Sequence, residues 1–174
     1  LDLPTTSTVE GYDFDGWFAF IDEKWVAFSF ENAKMPNNNL TIAAKFLGEV
    51  TITFISNGSV HDTLTGFEGN ELTDSVEEPT RIGYTFAGWF TEPTFENAYT
   101  LPTSYPKEGY NVYAKWNINK YTVTFNYDNG SNNDEVELDF GSKLTEPTEP
   151  TKEGYSFGGW FYGESAVVFS TFTV

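Results

Sequence analysis

Cysteine is absent from the 174 residues. That absence excludes disulfides, thiolate zinc sites and a thiol nucleophile. It does not fix a reducing compartment, since many extracellular folds manage without disulfides. Histidine occurs once, at His61, so imidazole-based metal or triad chemistry has no second histidine to draw on. Basic residues are scarce: 9 Lys plus Arg stand against 26 Asp plus Glu, a formal charge of −17. So acidic a chain repels phosphate backbones and anionic bilayers, so nucleic acid is not an expected partner. No apolar run approaches the roughly 20 residues of a transmembrane helix, and no membrane insertion is expected in this segment. No cleavable leader is visible and the first residue is Leu1 rather than Met, so the sequence reads as a piece of something larger. Stretches of Ala, Leu, Lys and Glu at helical spacing are also missing.

What the chain has is rings. Aromatic residues make up 18% of it, with 17 Phe and 10 Tyr. With Thr and Val, they favour pleated, half-buried surfaces, so the expected structure is β-rich. The rings also recur in order. "GYDFDGWF" at 11–18, "GYTFAGWF" at 83–90 and "GYSFGGWF" at 154–161 are three versions of one string. "NNLTIAAKF" (38–46) matches "GYNVYAKW" (109–116), "VTITFISNGS" (50–59) matches "YTVTFNYDNGS" (121–131), and "EPTRIGY" (78–84) matches "EPTKEGY" (149–155). Ordered anchors at one period of about 70 residues define an internal repeat, longer than a solenoid unit and long enough for a small core. The frame gives a partial repeat at 1–48 without an opening hairpin, a complete one at 49–116, and a third at 117–174 without its usual closing strand. The links "LGE" (47–49) and "NINK" (117–120) are short and contain no Pro, which favours restricted angles between neighbours.

Within a repeat, Val50, Ile52 and Phe54 alternate with Thr51 and Thr53, and Tyr121, Val123, Phe125 and Tyr127 repeat the pattern. Period two with one apolar face predicts a half-buried strand. Asn57-Gly58 and Asn129-Gly130 supply positive-φ residues for a hairpin turn. The Pro-containing segment that follows favours an extended crossing, with room for one short helical turn around 72–77. In the ring motif, Gly16, Gly88 and Gly159 interrupt the alternation. A bulge there would turn Trp17, Trp89 and Trp160 onto the Tyr/Phe side. A last strand closes the unit, with Tyr110, Val112, Ala114 and Trp116 on one face. About four strands, mostly antiparallel, are expected per complete repeat.

The order "TVTF…NG", "EPT.EGY.F.GWF" and "YAKW" resembles the Listeria–Bacteroides repeat, also called the internalin B-repeat, over nearly the whole chain. The resemblance implies compact β-grasp-like modules in tandem, in secreted or surface-attached bacterial proteins. The expected fold is mainly β with little helix, α+β at most, as an array of small antiparallel-sheet repeat domains. It implies an extracellular, cell-surface location and a stalk or spacer role, with no catalytic residues and no cofactor. The alternatives are an adhesive module contacting glycans or host protein, and a self-assembling subunit. The partners expected are thus neighbouring repeats of the same chain, with surface glycans, host protein or other subunits beyond them.

Candidate sites stand beside plainer readings. Trp17, Trp89 and Trp160 could stack on sugars, but recurrence with the strand pattern favours core packing. Trp25 lacks a counterpart in the other repeats and is the candidate ligand-binding residue. Asp128, Asn132, Asp134 and Glu135 offer oxygens, yet the EF-hand spacing is not met and a solvated hairpin loop is the simpler expectation. His61 is expected as a solvated imidazole in a loop. Glu77 with Glu78, and Glu92 with Glu96, are carboxylate pairs of the kind that abundance alone produces; a glycosidase needs them at a set separation in a cleft. The sequons at Asn39, Asn57 and Asn129 are read as incidental.

Overall fold

The computed structural model describes residues 8–31, 33–34 and 37–174, so the start of the first repeat lies outside the described residues. These residues form ten strands and no helix. In chain order they are β1 (Tyr12–Ile21), β2 (Lys24–Ala27), β3 (Thr41–Ser56), β4 (Ser59–Phe67), β5 (Tyr84–Phe90), β6 (Tyr110–Ile118), β7 (Lys120–Phe125), β8 (Asp134–Asp139), β9 (Phe161–Tyr162) and β10 (Ser165–Ala166). The fold is mainly β, as the composition implied. Residues 72–77 run without the helical turn for which the sequence left room.

Packing divides the chain into two compact units, Leu1–Glu77 with Trp89–Ala114, and Glu78–Gly88 with Lys115–Val174. In the first, β1 pairs antiparallel with β2 and β3, and β3 pairs antiparallel with β4. A parallel contact joins β3 to the start of β6, with Ile52 opposite Tyr110 and Phe54 opposite Val112. The core follows from the period-two pattern: Val50, Ile52, Phe54, Leu64, Leu72, Tyr105 and Val112 form one buried cluster. Ile52 and Val112 are wholly removed from solvent. Burying a side chain of this kind stabilises by about 1.5–3 kcal/mol. In the second unit, β7 and β8 form an antiparallel hairpin whose inner residue Phe125 is buried with Leu144.

The hairpin turns differ between repeats. Asn57 and Gly58 both take positive φ (52° and 77°), the turn expected of Asn-Gly. In the third repeat, Asp128 and Gly130 take positive φ while Asn129 does not. Its carboxamide instead accepts the Ser131 amide and donates to the Thr151 carbonyl, each at 3.0 Å. The sequence also gave no warning of the β1–β2 hairpin, whose turn residues Asp22 and Glu23 reach φ of 47° and 63° without a glycine.

Residues 47–49, read above as a link, lie inside the 16-residue strand β3. Backbone bonds hold this point from two directions: the Glu49 amide donates to the Gly11 carbonyl at 3.0 Å, and the Glu68 amide to the Gly48 carbonyl at 3.1 Å. The second unit repeats the device at Asn119, whose amide donates to the Gly83 carbonyl at 2.9 Å and whose carbonyl accepts the Phe140 amide at 2.8 Å. Gly11, Gly83 and Gly154 share φ of 77°, 76° and 79°, and each precedes a tyrosine whose amide closes a turn at 3.1 Å. Gly83 carries a second constraint: a Cβ there would lie 1.8 Å from Phe140 Cδ1. Gly154 has the same φ and open space among the described residues.

Gly154→Ala is therefore expected to lose only the left-handed backbone term, about 1–2 kcal/mol. Gly83→Ala adds displacement of the Phe140 ring and is expected to cost roughly 1–3 kcal/mol more. Urea midpoints of the two variants check the difference.

Candidate functional site

The repeated ring motif is the natural place to look for a site, and the backbone decides what it can do. In a regular strand, residues three apart point to opposite faces. Yet the rings of Phe14 and Trp17 lie 5.7 Å apart, and those of Phe157 and Trp160 5.5 Å apart, both edge to face. The pairing of β1 with β3 slips between Phe14 and Gly16, the bulge expected there. Gly16, Gly88 and Gly159 all take positive φ (130°, 106° and 109°), so all three motifs share the distortion that brings the indole round.

Once turned, two of the indoles meet equivalent rings. Trp89 packs on Phe54 at 5.0 Å and 77°, and Trp160 packs on Phe125 at 5.2 Å and 70°. Trp17 meets Phe30 at 5.9 Å. Such edge-to-face pairs add about 0.5–1.5 kcal/mol beyond the area they bury. Their backbones are also tied alike: the carbonyls of Trp17, Trp89 and Trp160 accept amides from Phe28, Tyr99 and Val167 at 2.7, 2.7 and 2.9 Å. All three indoles are half-buried. The Nε1 atoms of Trp17 and Trp160 are buried without a hydrogen-bond partner among the described residues. Trp160 additionally borders an open cleft.

The other candidates disperse. His61 lies in β4 rather than in a loop. Its Nε2 lies 3.0 Å from the Glu77 carbonyl, and its ring faces Trp89 at 5.8 Å. The loop assignment failed because 59–61 show no alternation by which to place the strand start. The oxygens of 128–135 go separate ways: Lys152 Nζ is 3.0 Å from Asp128, and the Tyr127 hydroxyl donates to Asp134 at 2.5 Å. That bond raises the Tyr127 phenol above its ordinary value. Glu92 is not paired with Glu96 as an acid-base couple. Its carboxylate accepts the Thr91 hydroxyl and the amides of Glu96 and Asn97, at 2.8 and 2.6 Å for the amides. These bonds, the Thr91 hydroxyl foremost, hold its carboxyl below the usual range and bind the 92–97 loop. In the core, burial followed by the Tyr110 hydroxyl raises Tyr99, and burial followed by the Asp74 charge raises Tyr105.

Trp25 is placed differently from the repeated indoles. It lies on β2 opposite Phe20, 51% exposed, with the two rings 5.2 Å apart and tilted by 52°. With Phe18, Ala43 and Lys45 it lines a shallow depression on the sheet. Lys45 Nζ reaches Asp15 at 2.5 Å and sits 5.3 Å over the Phe18 ring. Trp25 thus presents an open ring in the depression that Lys45 also lines.

Comparison with known proteins follows the same frame. The sequence profile of the Listeria-Bacteroides repeat domain matches residues 1–45, 51–115 and 121–173. A putative membrane protein of Evansella cellulosilytica is 37% identical over 168 residues, covering 94% of this chain and 24% of the relative. A putative Gly-rich membrane protein of the same organism is 35% identical over 161 residues, covering 91% and 18%. Internalin H of Listeria monocytogenes is 34% identical over 134 residues, covering 76% and 24%. The chain thus spans a quarter or less of the length of these relatives.

Replacing a core indole and an exposed one separates the two roles. Trp89→Ala is expected to cost about 2–4 kcal/mol, at or below the range for buried aromatics because the ring is half-buried. Trp25→Ala is expected to stay within about 0.5–1 kcal/mol of the parent. Circular dichroism during denaturant unfolding reads both.

Proposed function

The chain belongs to the Listeria-Bacteroides repeat family, and from that premise we propose that it is a non-catalytic spacer, a stalk segment in an extracellular, surface-attached bacterial protein. The observation that carries this reading is the junction. The strand that ends the first repeat is the strand that opens the second, and backbone bonds from Gly11 and Glu68 fasten the crossing point. A junction of this kind resists bending where a flexible linker would not. The polar, acidic composition supports a solvated role. The relatives' names, two membrane proteins and an internalin, support a surface location.

X-ray scattering of the chain in solution is the test. A globule of this length has a radius of gyration of about 16 Å. A stalk segment is expected to exceed about 20 Å, as separate small domains in line do. A value near that of the globule would count against the spacer role.

Trp25 favours a second reading, an adhesive contact with a glycan or host protein. An exposed indole can pack against the apolar face of a sugar ring, and Lys45, which lines the same depression, supplies a donor. On a glycan array the parent chain is expected to bind a subset of sugars and Trp25→Ala to lose at least roughly tenfold in affinity, about 1.4 kcal/mol. Absence of binding, or binding indifferent to the substitution, removes this version of the adhesive role.

A further inference from the structure

Asn-Gly occurs twice in the chain, at 57–58 and 129–130, and serine follows both times. The two triplets are the same string, so a difference in their chemistry has to come from the fold. An asparagine before glycine carries a built-in reaction. The glycine amide nitrogen can attack the side-chain carbonyl, because glycine has no Cβ to obstruct the approach. The attack needs a glycine nitrogen open to solvent and a carboxamide free to rotate toward it.

Both turns meet the first need. Neither Gly58 nor Gly130 donates its amide to a backbone carbonyl among the described residues, and both are exposed. They part at the carboxamide. Asn129 is half-buried and held at both ends of its amide. Its Oδ1 accepts the Ser131 amide at 3.0 Å and the Ser131 hydroxyl, and its Nδ2 donates to the Thr151 carbonyl at 3.0 Å. The residue before it is fixed too: the Asp128 amide donates to Asn126 Oδ1 at 3.0 Å, and Lys152 Nζ lies 3.0 Å from Asp128. Asn57 has none of this. It stands exposed at the tip of the β3–β4 hairpin, beyond the last pair Ser56–Ser59, with no partner for its carboxamide among the described residues. The space beside it is open, since a Cβ at Gly58 would meet nothing within 4 Å.

We propose that Asn57 is a site of spontaneous deamidation in the folded protein, and that the bonds on Asn129 protect its twin. The Gly58 nitrogen loses its proton to solvent base and bonds to Asn57 Cγ. The Cγ–Nδ2 bond breaks, and Nδ2 leaves as ammonia with a proton from solvent. Water then opens the succinimide. Addition at Cγ restores the main chain and leaves aspartate at position 57. Addition at the backbone carbonyl carbon routes the chain through the side chain and leaves isoaspartate. Either product adds a negative charge to a chain already at −17. They differ in what they do to the hairpin. Aspartate before glycine suits the same turn, with φ of 52° and 77°. Isoaspartate adds a main-chain carbon to a two-residue loop whose length sets the Ser56–Ser59 pairing. Register is already interrupted one step further in, between Phe54 and Ile55. The isoaspartate form therefore loosens the hairpin end next to the buried Phe54.

The test incubates the 174-residue chain at mildly alkaline pH, folded and in urea, and digests samples with pepsin in acid, which halts the reaction. Mass spectrometry follows amide-to-acid conversion at each site, and labelling with an isoaspartyl methyltransferase separates isoaspartate from aspartate. In the folded chain Asn57 is expected to convert roughly tenfold faster than Asn129, whose hydrogen bonds must break first. In urea the two are expected to convert at the same rate. Equal rates in the folded chain, or an Asn57 that stays intact, overturn the proposal. A faster Asn129 also overturns it, by showing that the Ser131 bonds polarise the carbonyl for attack instead of holding it. Unequal rates in urea would trace the difference to flanking residues and overturn the structural cause. Ser131→Ala is expected to speed Asn129 about threefold in the folded chain and to leave Asn57 unchanged. No acceleration overturns the protecting role of Ser131. Chains carrying isoaspartate at 57 are expected to exchange the amides of 55–60 faster than the parent, and unchanged exchange overturns the effect on the hairpin.

Discussion

An aromatic ring set edge-on against an indole is the contact on which each repeat depends. Phe54 with Trp89 and Phe125 with Trp160 have nearly the same spacing and angle. A domain of about 70 residues buries too little surface to be generous with its core. Spending its largest side chain on one fixed contact is an effective use of a small interior. The contact requires an indole that a regular strand would point the wrong way, so it requires the bulge. The bulge in turn requires a residue tolerant of positive φ, and Gly16, Gly88 and Gly159 meet that need. Sequence string and backbone distortion recur three times, and the contact with a Phe of the opening strand recurs in the two repeats that have that strand.

The same device accounts for where the repeated indoles lie. The half-buried Trp89 indole is packed edge-on against Phe54, and its carbonyl is tied to Tyr99. Exposed rings such as Trp25 stand outside the device, on the hairpin that only the first repeat elaborates at length. What departs from the repeat is the β1–β2 hairpin that carries Trp25.

Much of this was legible in residues. Alternation at 50–54 and 121–127 placed strands, and a glycine breaking the alternation of the ring motif marked the bulge. Three features were not legible, each for a physical reason. The turn at Asp22 and Glu23 lacks the Asn or Gly that normally signals positive φ, so β2 stayed hidden. Continuity of β3 through 47–49 rests on backbone bonds to Gly11 and Glu68, partners distant in sequence, while the local string "LGE" looks like a link. The parallel pairing of β3 with β6 likewise joins segments more than 50 residues apart, and no local pattern encodes such a partner. Trp25 stood out only because it lacked a counterpart, and it lies half exposed on β2.

The ring contact can be measured directly by a double-mutant cycle. Phe54→Leu and Trp89→Leu, singly and together, give a coupling energy, as do Phe125→Leu and Trp160→Leu for the third repeat. A shared contact predicts favourable coupling of about 0.5–1.5 kcal/mol in both cycles. Coupling indistinguishable from zero in either cycle would show that these rings are neighbours without being the interaction that holds the repeat together.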